Sequence, residues 1–234
     1  VIIYQSASGD AESTTGSAAT FQAKDSTLKS AIESGSMFYF TNTKANVVLS
    51  NTTLDFDSDA AALITAAGND SNNWGSAGSN GATVVFTGRN QTLKGTVSAD
   101  TISSVTLNLL DGSTWTGTAS ITDNASAVSG STSAQPISVN VDGSSTWTVT
   151  GNTTVSALNV AEGGKVVDAN GNTATIVANG KTVAKGTGSV TVTVTGDYGT
   201  SVDGDADGTT LTDDLIDRSD YDSTFDTSSS WSMS

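Results

Sequence analysis

The sequence predicts an all-β fold, a right-handed parallel β-helix made of short stacked strands. Three observations lead there. Short alternating runs rich in Val, Ile, Leu and Thr recur, each closed by Gly, Asn or Asp. One motif repeats at short, slightly irregular spacing. Hydrophobic residues make up only 35% of the 234 residues, with charged residues at 14%. Such a chain cannot fill a thick layered core, but it can fill a thin one if each strand buries a few apolar side chains and turns over quickly.

The strand expectations are Val47-Val48-Leu49, Thr83-Val84-Val85-Phe86-Thr87, Val105-Thr106-Leu107-Asn108-Leu109 and Val190-Thr191-Val192-Thr193-Val194-Thr195. One amphipathic stretch, residues 26–33, reads as a short helix with Leu28, Ala31 and Ile32 on one side. The repeat begins as Thr106-Leu107-Asn108-Leu109-Leu110-Asp111-Gly112. It returns as Ser138-Val139-Asn140-Val141-Asp142-Gly143, and again as Ala157-Leu158-Asn159-Val160-Ala161-Glu162-Gly163. Ser113-Thr114-Trp115-Thr116 and Ser145-Thr146-Trp147-Thr148 follow the first two copies. Irregular spacing is expected where insertions leave the stack at its corners, and residues 69–81 and 122–135 read as two of them. A β-sandwich is the rival, because hairpin dipeptides such as Asn80-Gly81, Asp111-Gly112 and Asn170-Gly171 are present.

Residues 1–198 read as the stack, the C-terminal part of a longer one. Residues 199–234 change character. Asp becomes dense, and Leu211, Leu215, Ile216, Tyr221, Phe225 and Trp231 are scattered among Ser and Thr. That segment is expected to cap the last round and hide its open edge.

The net charge of −15 argues against nucleic acid, which is held by Lys and Arg at phosphates, and against anionic membranes. No apolar run approaches the length of a membrane span. Cys and His are both absent, which removes disulfides, the commonest transition-metal ligands and the commonest general base. The composition suits a secreted or cell-surface protein that stays soluble or binds cations.

Several segments resemble adhesin-like β-helix surface proteins of gut and other anaerobic bacteria. They are the opening Val1-Ile2-Ile3-Tyr4-Gln5-Ser6-Ala7-Ser8-Gly9-Asp10-Ala11-Glu12, then Met37-Phe38-Tyr39-Phe40-Thr41-Asn42-Thr43, then Asn73-Trp74-Gly75-Ser76-Ala77-Gly78-Ser79-Asn80-Gly81. Residues 144–158 are similar to rounds of autotransporter passenger domains. The resemblance extends to about Gly196. It implies a fold and an extracellular way of life, and it transfers no catalytic residue.

Each candidate site has a competing structural reading. Trp74 stands in Asn69-Asp70-Ser71-Asn72-Asn73-Trp74, a loop with little apolar to pack against. A ring beside Asp70, Asn72 and Asn73 could bind a glycan, or it could fold back over the side of the stack. Trp115 and Trp147 alternate with Thr and read as core filling more than as a sugar platform. Asn108, Asn140 and Asn159 read as a structural ladder. Asp203, Asp205, Asp207, Thr209 and Asp214 sit at the spacing of a calcium loop, Ca2+ being the one cofactor the sequence suggests. Asp stands at position twelve in place of the bidentate Glu, and an acidic linker would give the same pattern. Asp55, Asp57 and Asp59 read as a turn. Asn51, Asn90 and Asn152 begin Asn-x-Thr triplets, which are glycan acceptors only in a host that glycosylates them.

The functional expectation is therefore a non-catalytic adhesin-like protein whose partner is a glycan or another surface ligand. A stalk that associates end to end is the second reading. A polysaccharide lyase or glycosidase is the third, weakened by the scarcity of basic residues and by the lack of an acid cluster near Arg89. The Thr-x-Thr runs suggest ice binding only faintly, since outward strand positions explain them.

Overall fold

The computed structural model describes residues 1–5, 18–70, 74–212 and 219–227. The chain advances in rounds of three strands. The first round is β1 (Ile2–Tyr4), β2 (Ala19–Lys24) and β3 (Thr27–Lys29). The second is β4 (Ser36–Thr41), β5 (Thr43–Ser50) and β6 (Thr53–Asp55). The third is β7 (Ala62–Ala66), β8 (Ala82–Arg89) and β9 (Thr92–Lys94). The fourth is β10 (Val97–Asp100), β11 (Ser104–Leu110) and β12 (Thr114–Gly117). The fifth is β13 (Ala119–Thr122), β14 (Ile137–Val141) and β15 (Thr146–Val149). The sixth is β16 (Thr153–Val155), β17 (Ala157–Val160) and β18 (Lys165–Val167). After it come β19 (Thr175–Ala178), β20 (Lys181–Ala184), β21 (Thr191–Val194), β22 (Tyr198–Gly199) and a short helix α1 (Ser219–Phe225).

Through β15 each strand pairs with the strand three places on, except at β6 and β13. The first sheet runs β1-β4-β7-β10-β13, and the second runs β2-β5-β8-β11-β14-β17-β22. Third strands form β3-β6 and, separately, β9-β12-β15-β18. A last sheet runs β16-β21-β19-β20. Among the described residues these ladders are parallel except for the β19–β20 hairpin and a lone antiparallel bridge between Val167 and Thr173. The hairpin ladders a β-sandwich would need are thus confined to one place. The four strand expectations overlap β5, β8, β11 and β21.

Side chains alternate in and out, so the core is a set of columns, one residue per round. One column is Val47, Phe86, Leu107, Val139 and Leu158, all fully buried. Burying an aliphatic or aromatic side chain contributes about 1.5–3 kcal/mol. A thin core therefore still holds when every round repeats it.

Trp115 and Trp147 occupy another column, between Leu93 and Val166. Both are 0% exposed, with ring centroids 4.7 Å apart and planes at 13°. Each indole N–H donates to a backbone carbonyl, Trp115 to Gly95 at 2.9 Å and Trp147 to Gly117 at 3.0 Å. The core reading of these residues is what the geometry shows. Gly117 is obligatory there, because a Cβ would lie 2.1 Å from the Gly95 carbonyl oxygen and 2.8 Å from the Trp115 indole nitrogen.

The helix expected over residues 26–33 does not form. Thr27–Lys29 is strand β3, paired in parallel with β6 so that Leu28 meets Leu54. The reason is the corner before it. Asp25, Asn51, Asn90 and Asp111 each follow a strand of the second sheet with φ of 46–57°. Asn and Asp tolerate this left-handed turn better than other side-bearing residues. The turn sends the chain straight into the third strand of its round. The sequence marks it as Asp25-Ser26-Thr27-Leu28, Asn51-Thr52-Thr53-Leu54 and Asn90-Gln91-Thr92-Leu93. The Asn-x-Thr triplets at Asn51 and Asn90 are thereby accounted for as corners.

Two ladders are interrupted, and one side chain spans each gap. Between β6 and β9 the Gln91 side-chain amide takes both backbone groups of Thr52: Nε2 donates to the Thr52 carbonyl at 2.6 Å, and Oε1 accepts from the Thr52 N–H at 2.9 Å. Between β13 and β16 the Thr153 hydroxyl accepts from the Ala119 N–H and donates to the Ala119 carbonyl, both at 2.9 Å.

Asp168 secures the turn that leads out of the sixth round. Its carboxylate accepts from the backbone N–H groups of Asn170 and Asn172 at 2.9 Å and of Ser189 at 3.4 Å, and from the Asn172 side-chain amide at 3.4 Å. Burial alone would raise its pKa, but these hydrogen bonds outweigh burial and hold it below the ordinary carboxylate value. A depressed folded-state pKa gives stability that is present above the unfolded pKa of about 3.9 and lost as pH falls through the folded value. Thermal melts from pH 7 down to pH 2 should therefore show an acid-side loss that is reduced in Asp168→Asn.

Candidate functional site

Surface chemistry gathers at two places outside the core. The first is the corner between the first and second sheets, where residues 67–81 and 123–136 leave the rounds between β7 and β8 and between β13 and β14. The two excursions meet. The Gly78 carbonyl accepts from the Val128 N–H at 3.1 Å and from the Ser131 hydroxyl at 2.7 Å. Gly78 has φ of 80°, and a Cβ on it would overlap the Ser126 carbonyl oxygen at 1.6 Å, so only glycine allows this approach. Asp100 ties both excursions to the intervening round. Its Oδ2 accepts from the Gly68 N–H and from the Asn124 side-chain amide, each at 2.8 Å.

Trp74 stands on the first of these loops. Its backbone carbonyl accepts from the Asn69 and Asn80 side-chain amides at 3.0 and 2.9 Å. Asn80 is buried, also donates to the Asn69 carbonyl at 2.7 Å, and accepts from the Asn69 N–H at 3.2 Å. Asn69 reaches the Thr41 hydroxyl at 2.7 Å. These amides fix the backbone and leave the indole half-buried against the outside of the first strand. There it stacks on Tyr4, with centroids 4.5 Å apart and planes at 28°. Tyr4 itself is 45% exposed. Asp70 is exposed, while Asn72 and Asn73 lie outside the described residues. Sequence reading singled out Trp74 and missed Tyr4, because a contact across 70 positions leaves no local signal.

The second place is the outer face of the second sheet. Asn108, Asn140 and Asn159 form a ladder there. Asn108 donates to the Thr87 hydroxyl at 3.1 Å, Asn140 to Asn108 Oδ1 at 2.7 Å, and Asn159 to Asn140 Oδ1 at 2.8 Å. The expected ladder is present and extends to Thr87.

Across the same face runs a strap, residues 203–212. The Arg89 guanidinium clamps it, donating from Nε to the Thr209 carbonyl at 2.7 Å and from Nη2 to the Gly204 carbonyl, while Nη1 pairs with Asp111 at 2.7 Å. The Thr212 N–H donates to the Gln22 side chain at 3.0 Å, and Gly208 sits against Asn46. These contacts lie on strands of the first three rounds. Arg89, weighed above as a basic group for lyase chemistry, has its donors committed to the strap and Asp111. Arg89→Ala should free residues 203–212. Limited proteolysis should then cut this segment at least tenfold faster with the rounds intact, since even one charge-assisted bond of about 1.5–3 kcal/mol corresponds to that factor or more.

Within the strap, Asp203, Asp205 and Asp207 are exposed, and Asp203 Oδ1 accepts from the Asp205 N–H at 3.0 Å. Thr209 is buried, and its hydroxyl donates to the Ala206 carbonyl at 2.6 Å. Its carbonyl, which a calcium loop would turn toward the ion, is taken by Arg89. Asp214 lies outside the described residues. Among the described residues no three carboxylates come together in a group that could hold a metal ion. Asp55 ends strand β6 and pairs with Lys29 at 2.7 Å, whereas the turn that follows is capped by Asp57, which accepts from the Asp59 and Ala60 N–H groups.

No protein-family model, curated protein or solved structure matches the chain. Among the described residues no helix is long and apolar enough to cross a membrane.

Proposed function

We propose that the chain is a right-handed parallel β-helix from a secreted or cell-surface adhesin-like protein, and that it binds glycans without catalysis. The three-strand advance of the ladders supports the fold reading. The Trp74–Tyr4 pair carries the functional one. Two aromatic rings stack on the outside of the molecule, and the loop behind them is locked by amides. A backbone fixed in advance lowers the ordering cost of binding, and aromatic faces suit the C–H faces of sugar rings. Residues 203–212 lie as a strap against strands of the first three rounds.

Glycan-array binding by the full chain should fall about two- to tenfold in Trp74→Ala, the loss expected for one stacking contact of about 0.5–1.5 kcal/mol. Unchanged binding would remove Trp74 from the site.

A further inference from the structure

The gap between β13 and β16 opens a groove that neither the aromatic pair nor the strap uses. Thr153 bridges the two strands at Ala119, and beyond that bridge no ladder joins the first sheet to the last sheet among the described residues. The groove between them has a volume of about 730 Å³, within the range of small-ligand sites. One wall is Ser120 and Ile121, and the other is Thr154, Thr191 and Thr193. Pro136, at the foot of the second excursion, closes one rim.

Its lining is unusual for this molecule. The chain carries 24 acidic and 9 basic residues, yet no charged residue lines the groove. The hydroxyls of Ser120, Thr154, Thr191 and Thr193 line it, and each can donate and accept. Beside them Ile121 and Pro136 offer apolar surface. Hydroxyls that donate and accept, next to apolar patches and without charge, match a neutral polyhydroxylated chain. An anionic ligand would find no cation there and would meet a net charge of −15.

We infer that this groove is a second carbohydrate site, selective for neutral oligosaccharides and independent of Trp74. Its ligand class follows from the lining, and it stands whether or not the aromatic pair binds sugar. The test is a titration of the ¹⁵N-labelled full chain with neutral hexasaccharides of glucose, xylose and mannose, and with an oligogalacturonate as the anionic control. At millimolar ligand, at least one neutral sugar should shift the amides of Ser120, Thr154, Thr191 and Thr193, and oligogalacturonate should not. The double variant Thr191→Val/Thr193→Val keeps side-chain shape and strand preference but removes two hydroxyls. It should weaken binding about tenfold, as the loss of two ordinary hydrogen bonds predicts. Trp74→Ala should leave the groove shifts unchanged. The inference is overturned if no neutral sugar shifts groove amides, if the control binds equally, or if the double variant binds like the parent. Shifts confined to the surroundings of Trp74 would overturn the groove while supporting the aromatic site.

Discussion

Trp147→Ala will lower the free energy of unfolding by about 3–5 kcal/mol, the range for removing a large aromatic from a packed core. Trp147 is 0% exposed and stacks on Trp115, so the substitution empties one round and uncovers the face of the next. It also leaves the Gly117 carbonyl without its indole donor. Chemical denaturation should show a lower midpoint with an unchanged slope if the loss is confined to stability. Trp147→Phe separates the two contributions. It keeps an aromatic ring in the stack while losing the N–H and the volume of the fused five-membered ring, so it should cost clearly less than alanine. Equal losses for Phe and Ala would mean that the hydrogen bond, and not the stack, dominates.

Gln91→Leu is expected to cost about 2–4 kcal/mol, although leucine is apolar and Gln91 is 98% buried by its 2% exposure. The amide stands in for a missing strand pair and satisfies both the N–H and the carbonyl of Thr52. Leucine strands both groups in a dry site, and Thr52 is itself buried. Hydrogen exchange at the Thr52 amide should accelerate in the variant, because the protecting acceptor is gone. Protection like that of the parent would show that the gap between β6 and β9 closes without the side chain.

Much of the fold was legible in the sequence because its cause is repetition. Asn108, Asn140 and Asn159 recur with apolar neighbours on both sides, and Trp115 and Trp147 recur after the same turn. A motif that repeats in register must stack if its apolar face is to be covered, so the ladder and the tryptophan column followed. The corner motif at Asp25, Asn51 and Asn90, an Asp or Asn two residues before Thr-Leu, was not read as a corner. Asn51 and Asn90 stood out only as Asn-x-Thr triplets, and residues 26–33 were expected to be helical because Leu28, Ala31 and Ile32 fit a helical face. Pairing between Leu28 and Leu54 overrides that local pattern.

The candidate site was legible only in part. Trp74 stood out because it is a large ring in a polar loop, but its partner Tyr4 lies far away in sequence. The acidic spacing at Asp203, Asp205 and Asp207 was visible too, yet spacing alone could not show that Arg89 claims the Gly204 and Thr209 carbonyls.

By itself, the sequence determined that this protein is built of short parallel-stacking strands with a ladder of asparagines and a buried column of tryptophans. Those features are set by residue type and period, which act locally and repeat. Only the tertiary structure decided where the two excursions meet, where the strap lies, and that the ladders break at Gln91 and Thr153. These depend on contacts between residues far apart in the chain, whose energies come from packing and hydrogen bonds that no short stretch of sequence contains.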